Sequence, residues 1–191
     1  MMATFLQPYN PQWKTEFESL KRELERSLGG LNQHLTIEHI GSTALIGLVA
    51  KPILDIDIII EDTRLLHDIE KILITLGYVS RGEQGIPGRF AFRQKSDLVP
   101  FTDSKRKWQV HHLYVCYANS LALKNHLLFR DALRRDEALL QQYANLKRSL
   151  TENSKTKKEE YTIRKTDFIL SVLAQAGLSQ QELQDIADSN T

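Results

Sequence analysis

Ile37-Glu38-His39-Ile40-Gly41-Ser42-Thr43-Ala44, followed just over ten residues on by Ile53-Leu54-Asp55-Ile56-Asp57-Ile58-Ile59-Ile60, decides the fold. Thr36 to Ile40 reads as a short strand, and Gly41-Ser42 breaks its period. Ile53 to Ile60 is rich in β-branched residues and bounded by Pro52, which marks a central strand. On that strand Asp55 and Asp57 stand two residues apart and share one face, while Ile56 and Ile58 point the other way, into a core. Two carboxylates so close repel each other, and a divalent cation relieves the repulsion. Magnesium favours one or two carboxylates completed by substrate phosphate oxygens. The plainer reading is two solvated acids, or one acid acting as a cap. A Gly-Ser turn between a strand and a short helix offers backbone N–H groups and a hydroxyl to a phosphate. Alone it is equally a helix cap. Together the two motifs place a phosphate cradle (Gly41, Ser42, Thr43) and a metal site (Asp55, Asp57) on adjacent elements of one sheet, with Lys51 at the strand entrance.

Outward from this centre the periodicity changes. Towards the N-terminus, Asn10-Pro11 opens a helix with Trp13, Phe17, Leu20, Leu24 and Leu28 on one face, closed by Gly29-Gly30. Towards the C-terminus, Leu65 to Leu76 is an amphipathic helix closed by Gly77, and Gly82, Gly85, Pro87 and Gly88 form a loop. Arg89 to Arg93 and Gln109 to Cys116 read as strands. Leu121–Arg135, Asp136–Leu150 and Tyr161–Ala176 carry helical periodicity. The expectation is an α/β (α+β) architecture in one domain spanning 1–191. A mixed sheet with packed helices occupies about 31–118, after an N-terminal helix, and a helical tail occupies about 119–191.

The other chemistry-bearing residues leave alternatives open. His111 and His112 are neighbours on a strand and face opposite sides, so one can enter a pocket while the other is held in or beside the core. Arg89 follows a glycine-rich loop, which suits an anion clamp; the alternative is an edge strand guarded by charge. Arg130-Asp131 reads as a surface pair, and the basic stretch from Lys147 to Lys165 as a solvated linker between helices rather than a weak nucleic-acid or phosphate-facing patch.

Composition bounds the rest. The 191 residues are 41% hydrophobic and 26% charged, with 25 basic and 24 acidic groups and a net charge of +1. No overall field draws the chain to nucleic acid or an anionic membrane. Cys116 is the only cysteine, so an internal disulfide or a cysteine-rich zinc site is excluded. The first residues carry no basic and apolar leader pattern, and no apolar run approaches membrane length, so a cytoplasmic location is expected. P-loop, G-x-G-x-x-G, H-E-x-x-H and G-x-S-x-G patterns are absent.

The chain resembles the GrpB family, assigned to the nucleotidyltransferase fold. The resemblance rests on Pro8-Tyr9-Asn10-Pro11 with Trp13, Ile37 to Ala44, Gly47-Leu48, Ala50 to Ile56, Gly85 to Arg89, His111-His112-Leu113, Leu128 to Asp131, Lys165 and Phe168-Ile169. It implies a nucleotidyltransferase-like mixed sheet and a Mg²⁺-dependent transfer of a nucleotidyl group from an NTP to an unidentified hydroxyl acceptor. Asp55, Asp57 and His112 would be catalytic. Gly41, Ser42, Thr43, Lys51 and Arg89 would bind phosphate, and His39, His111 and Arg130 would support them from behind. Relatives fused to dephospho-CoA kinase point to a nucleotide or coenzyme A context. Two departures stand out: Leu45-Ile46 replaces the family's Val-Pro, and Asp57 falls where relatives often lack an acid. The third acid usual in nucleotidyltransferases is missing from Gln109 to Cys116, with His112 in a comparable place. Two alternatives follow: a non-catalytic nucleotide- or coenzyme-binding module, and a phosphoesterase using His111 or His112 with Asp55 on a transition metal.

Overall fold

The computed structural model describes residues 6–152 and 158–189. Helix α1 (Gln12–Leu28) is followed by a 3₁₀ segment (Gly29–His34), then β1 (Leu35–Ile40), a one-turn 3₁₀ helix (Ser42–Ala44), β2 (Leu54–Ile60), a second one-turn 3₁₀ helix (Thr63–Leu65) and α2 (Leu66–Thr75). Then come β3 (Tyr78–Ser80), β4 (Arg89–Gln94), β5 (His111–Tyr117), α3 (Leu121–Arg135), α4 (Glu137–Glu152), α5 (Lys158–Gln175) and α6 (Gln180–Ser189). Asn10 opens α1 as its side chain suggests, accepting from the Gln12 N–H at 3.0 Å. β3 and α6 were not expected.

The strands form one mixed sheet in the order β1-β2-β5-β4-β3. Only the central β2–β5 pair is parallel; the others are antiparallel. β4 is therefore an internal strand, and its arginines do not guard an edge.

Alternation divides the sheet into two unlike faces. Ile37, Leu54, Ile56, Ile58, Ile60, Phe92, Leu113 and Val115 share one core with Trp13, Phe17, Leu20, Leu24 and Leu28 of α1 and with Ile69 and Leu73 of α2. The opposite face is polar at its centre. Register puts Ile40, Asp55, His112 and Arg93 in one row across β1, β2, β5 and β4, and Glu38, Asp57, Tyr114 and Ala91 in the next. α3 lies against this face.

The helical tail packs back on the molecule. Leu133, Tyr143 and Ala144 close on Leu45, Leu48 and Val49 from the loop between β1 and β2. Leu173, Leu178, Leu183 and Ile186 form a third cluster with Leu121 and Leu128 of α3. The Leu45-Ile46 departure is absorbed in this packing: Leu45 is buried, Ile46 is 72% exposed, and Gly47, at φ +84°, completes the turn. Among the described residues no helix is long and apolar enough to cross a membrane.

Candidate functional site

β2 delivers both acids to the polar face, as its alternation requires. Asp57 is fully buried there, at 0% exposure. His126 of α3 meets it, with Nδ1 2.8 Å from Oδ2. The other oxygen, Oδ1, is buried and has no hydrogen-bond partner among the described residues. Asp55 is half-buried and takes His112 Nδ1 at 2.9 Å on Oδ1. That bond raises the His112 pKa, against an opposing effect of burial. The face thus holds two carboxylate–imidazole pairs, with Tyr114 between them. Burial drives the Tyr114 phenol up to about 12, so it keeps its proton. The Arg89 guanidinium lies 4.8 Å above the Tyr114 ring, and its buried Nε has no partner among the described residues.

The Gly-Ser turn is pressed against Asp55. Gly41 sits at φ +69°, in the left-handed region. A Cβ there would come within 2.9 Å of Asp55 Cβ and Cγ, and nearer still to Oδ2. Glycine is therefore required at 41 both by its backbone and by the acid beside it.

Ser42 Oγ accepts from Lys147 Nζ at 2.8 Å, and the same ammonium donates to the Val49 carbonyl at 2.7 Å. Lys147 is only 4% exposed. Burial, then the charge of Lys165, lowers its pKa to about 7; Asp55 acts in the opposite direction and Lys51 in the same one. Burial also lowers the Lys165 pKa. A cavity of about 200 Å³ is lined by Gly41, Ser42, Asp55, Tyr114, His126 and Lys165. A larger groove of about 580 Å³ adjoins it, sharing Asn125 and His126 and bounded by Gly85–Arg89, Ser120 and α6.

Several expected site residues turn inward instead. The Thr43 hydroxyl donates to the Ile53 carbonyl at 3.2 Å, so its oxygen accepts from His39 Nε2 at 3.0 Å. His39 stacks on Phe17 with centroids 4.6 Å apart, and burial lowers its pKa to about 4. His111 is a core residue: Nδ1 donates to the Gln109 carbonyl at 2.8 Å, leaving Nε2 to accept from Tyr78 Oη at 2.6 Å. Burial holds it neutral, with a pKa of about 4. His111 and His112 thus part to opposite faces, and only His112 reaches Asp55. Lys51 is exposed, yet its charge bears on His112, Lys147 and Lys165.

Arg130 is not a surface residue. It is 7% exposed and donates to Glu38 at 2.7 Å, to the His39 carbonyl at 3.0 Å and to Asp131 at 2.8 Å. It pins α3 to β1 one turn from His126. The solvated-linker reading of Lys147–Lys165 gives way too, because α4 buries Lys147; residues 153–157 of that stretch lie outside the described residues.

Sequence reasoning missed His126, Lys147 and the role of Lys165. Two signals were available. His126 and Arg130 are four apart and share a helix face. Lys147 falls in the apolar spacing Leu140, Tyr143, Ala144, Leu150, where a solvated lysine does not belong.

A family model described as GrpB protein matches residues 4–175. A UPF0157 protein of Streptomyces coelicolor is 32% identical over 176 residues, covering 92% of this chain and 86% of the relative. The UPF0157 protein YqkA of Bacillus subtilis is 30% identical over 161 residues, which are 84% of this chain but 43% of that protein. Among solved structures, the conserved protein GrpB from Enterococcus faecalis superposes with a TM-score of 0.70 at 27% identity, over 96% of this chain and 98% of that one. A mutant of the Cid1 poly(U) polymerase bound to MgATP gives a TM-score of 0.57 at 13% identity, over 85% of this chain and 50% of that one. That second likeness is one of fold alone.

Proposed function

The chain belongs to the GrpB family and has a nucleotidyltransferase-like fold, and from this we propose that its polar sheet face binds a nucleoside triphosphate with Mg²⁺ and transfers the nucleotidyl group to a hydroxyl acceptor. One observation carries the reading: the Gly41-Ser42 turn lies directly against the Asp55 carboxylate while a buried lysine holds Ser42 from behind.

The residues fit a magnesium ion. Two carboxylates share the face, and one oxygen of the buried Asp57 lacks a hydrogen-bond partner among the described residues. Asp55 and Asp57 would hold the ion, which when bound neutralises charge on the phosphoryl oxygens. The Gly41–Thr43 backbone N–H groups, the Ser42 hydroxyl and the ammonium groups of Lys147, Lys165 and Lys51 receive the β- and γ-phosphates. Arg89 adds charge from the side of the larger groove. With His112 Nδ1 donating to Asp55, its Nε2 is left as an acceptor and takes the proton of the attacking hydroxyl. The new bond joins the acceptor oxygen to the α-phosphorus. The bond to the β-phosphate oxygen breaks, and pyrophosphate leaves.

The test is a thermal-shift screen of ATP, GTP, CTP, UTP and coenzyme A precursors, each with and without Mg²⁺. A ligand at a hundred times its Kd adds about 2.7 kcal/mol. A Mg²⁺-dependent shift with one nucleotide, lost in Asp55→Ala, is the expected result. A shift indifferent to both Mg²⁺ and Asp55→Ala replaces transfer with simple binding, a reading favoured by the lack of any acid on β5. No shift with any triphosphate overturns the proposal.

A further inference from the structure

Beside the acids lies a second group of ligands, of which the transfer scheme uses only Asp57. Asp57, Cys116 and His126 each present one donor atom, and the three atoms lie within 4.8 Å of one another. We propose that these residues form a separate site for a thiophilic divalent cation of the zinc class.

The argument starts from Asp57. A fully buried carboxylate held on one oxygen by His126, with no hydrogen-bond partner for the other among the described residues beyond the nearby Cys116 thiol, leaves room for a cation. Cys116 is also fully buried, on the same face of the sheet and in the next row, where it pairs with Ile59 and Arg89. His126 arrives from above because α3 is fixed at both ends. Ser120 caps its start, accepting from the Leu123 N–H at 3.2 Å, and Arg130 ties its second half to β1. The donor set decides the ion. Thiolate and imidazole suit zinc and its neighbours, whereas magnesium requires oxygen. Zinc–donor lengths of about 2.0–2.3 Å put tetrahedral donors about 3.5 Å apart, so the side chains need close by only about 1 Å. Three protein ligands leave a fourth position, and of the three His126 also lines the groove with Asn125 and Ser120. On loading, the Cys116 S–H bond loses its proton to solvent and a sulfur–metal bond forms, with no change of oxidation state.

The site shares only Asp57 with the proposed nucleotide site, so the two are separable. Chelator-treated chain is titrated with Co²⁺ and followed by absorption. The expected spectrum shows a near-ultraviolet thiolate-to-cobalt band and intense visible bands of four-coordinate cobalt, both displaced by Zn²⁺. Cys116→Ser abolishes the thiolate band, and His126→Ala weakens uptake at least tenfold. Asp55→Asn leaves the spectrum intact but removes the Mg²⁺-dependent nucleotide shift. A pale six-coordinate spectrum, or one unchanged in Cys116→Ser, overturns the metal site even where the nucleotide shift persists. If Cys116→Ser does not fold, X-ray absorption of the zinc-loaded wild-type chain decides. One sulfur at about 2.3 Å supports the site, and because Cys116 is the only cysteine that sulfur is assigned. A shell of nitrogen and oxygen alone overturns it.

Discussion

Lys147 shows how burial alone can turn an ordinary side chain into a responsive one. Its pKa is lowered to about 7 from an ordinary 10.5, chiefly by burial. Between those values the unfolded chain binds a proton that the folded chain releases, so this group makes folding more favourable as pH rises from about 7 to 10.5. Triphosphate binding has the opposite requirement, because a phosphate prefers the charged ammonium. Nucleotide affinity is therefore expected to fall as pH rises above about 7. In Lys147→Met affinity should be lower by tenfold or more at pH 6.5, and the pH dependence should flatten; isothermal titration across pH 6–9 measures both. A profile unchanged by the substitution would remove Lys147 from the phosphate site. At this scale the sequence was partly legible. Asp55, Ser42 and His112 follow from alternation and a turn motif, since each depends on local geometry. Thr43 did not, because whether a hydroxyl faces a ligand or a carbonyl depends on distant neighbours such as Ile53.

Among the elements, α3 has the most to position. It carries His126 over Asp57 and is held there by the Arg130 contacts with Glu38 and the His39 carbonyl. Glu38 is partly exposed, which tempers the ion pair, but the guanidinium is buried and bonded on several sides. Arg130→Ala is expected to cost about 2–3 kcal/mol in urea unfolding and to loosen the His126–Asp57 pair, seen as displaced and broadened His126 ring resonances by NMR. A loss below about 0.5 kcal/mol, as for an exposed pair, would restore the surface reading. Long periodic elements were readable: α1, β2, α2 and α3 lie close to where spacing puts them. β3 was not, because three residues are too few to show alternation. α6 was not, because its ten residues bury only Leu183 and Ile186.

Across the whole molecule, two neutral imidazoles are buried on the core face, His39 beside Phe17 and His111 beside Tyr78. Both have pKa values lowered to about 4 by burial. As pH falls through 6.5 the unfolded chain takes up protons that the folded chain refuses, so stability drops steadily between about pH 6.5 and 4. The pair should make the loss a few kcal/mol, readable as a falling denaturation midpoint in a pH series. His111→Gln should shallow that slope even if it lowers stability at pH 7. A flat midpoint from pH 7 to 4.5 would contradict the buried neutral assignment. The helical tail was expected at this scale, but its contacts were not. Periodicity reports which face a helix buries, not what it meets, so nothing local pairs Lys147 with Ser42, 105 positions away.

The strand order carries one more consequence. β5 is the last strand in the chain but lies in the middle of the sheet, between β2 and β4. During synthesis the pair β1–β2 and the pair β3–β4 emerge first as two separate hairpins, each with an open edge and neither able to complete the sheet. Only when Tyr117 has left the ribosome can β5 slot between them, and only after α4 and α5 follow does Lys147 reach Ser42 and Lys165 the cavity beside it. The order of translation therefore delays completion of the polar sheet face until α5 has emerged, and leaves the two waiting hairpin edges as the surfaces most exposed to premature pairing.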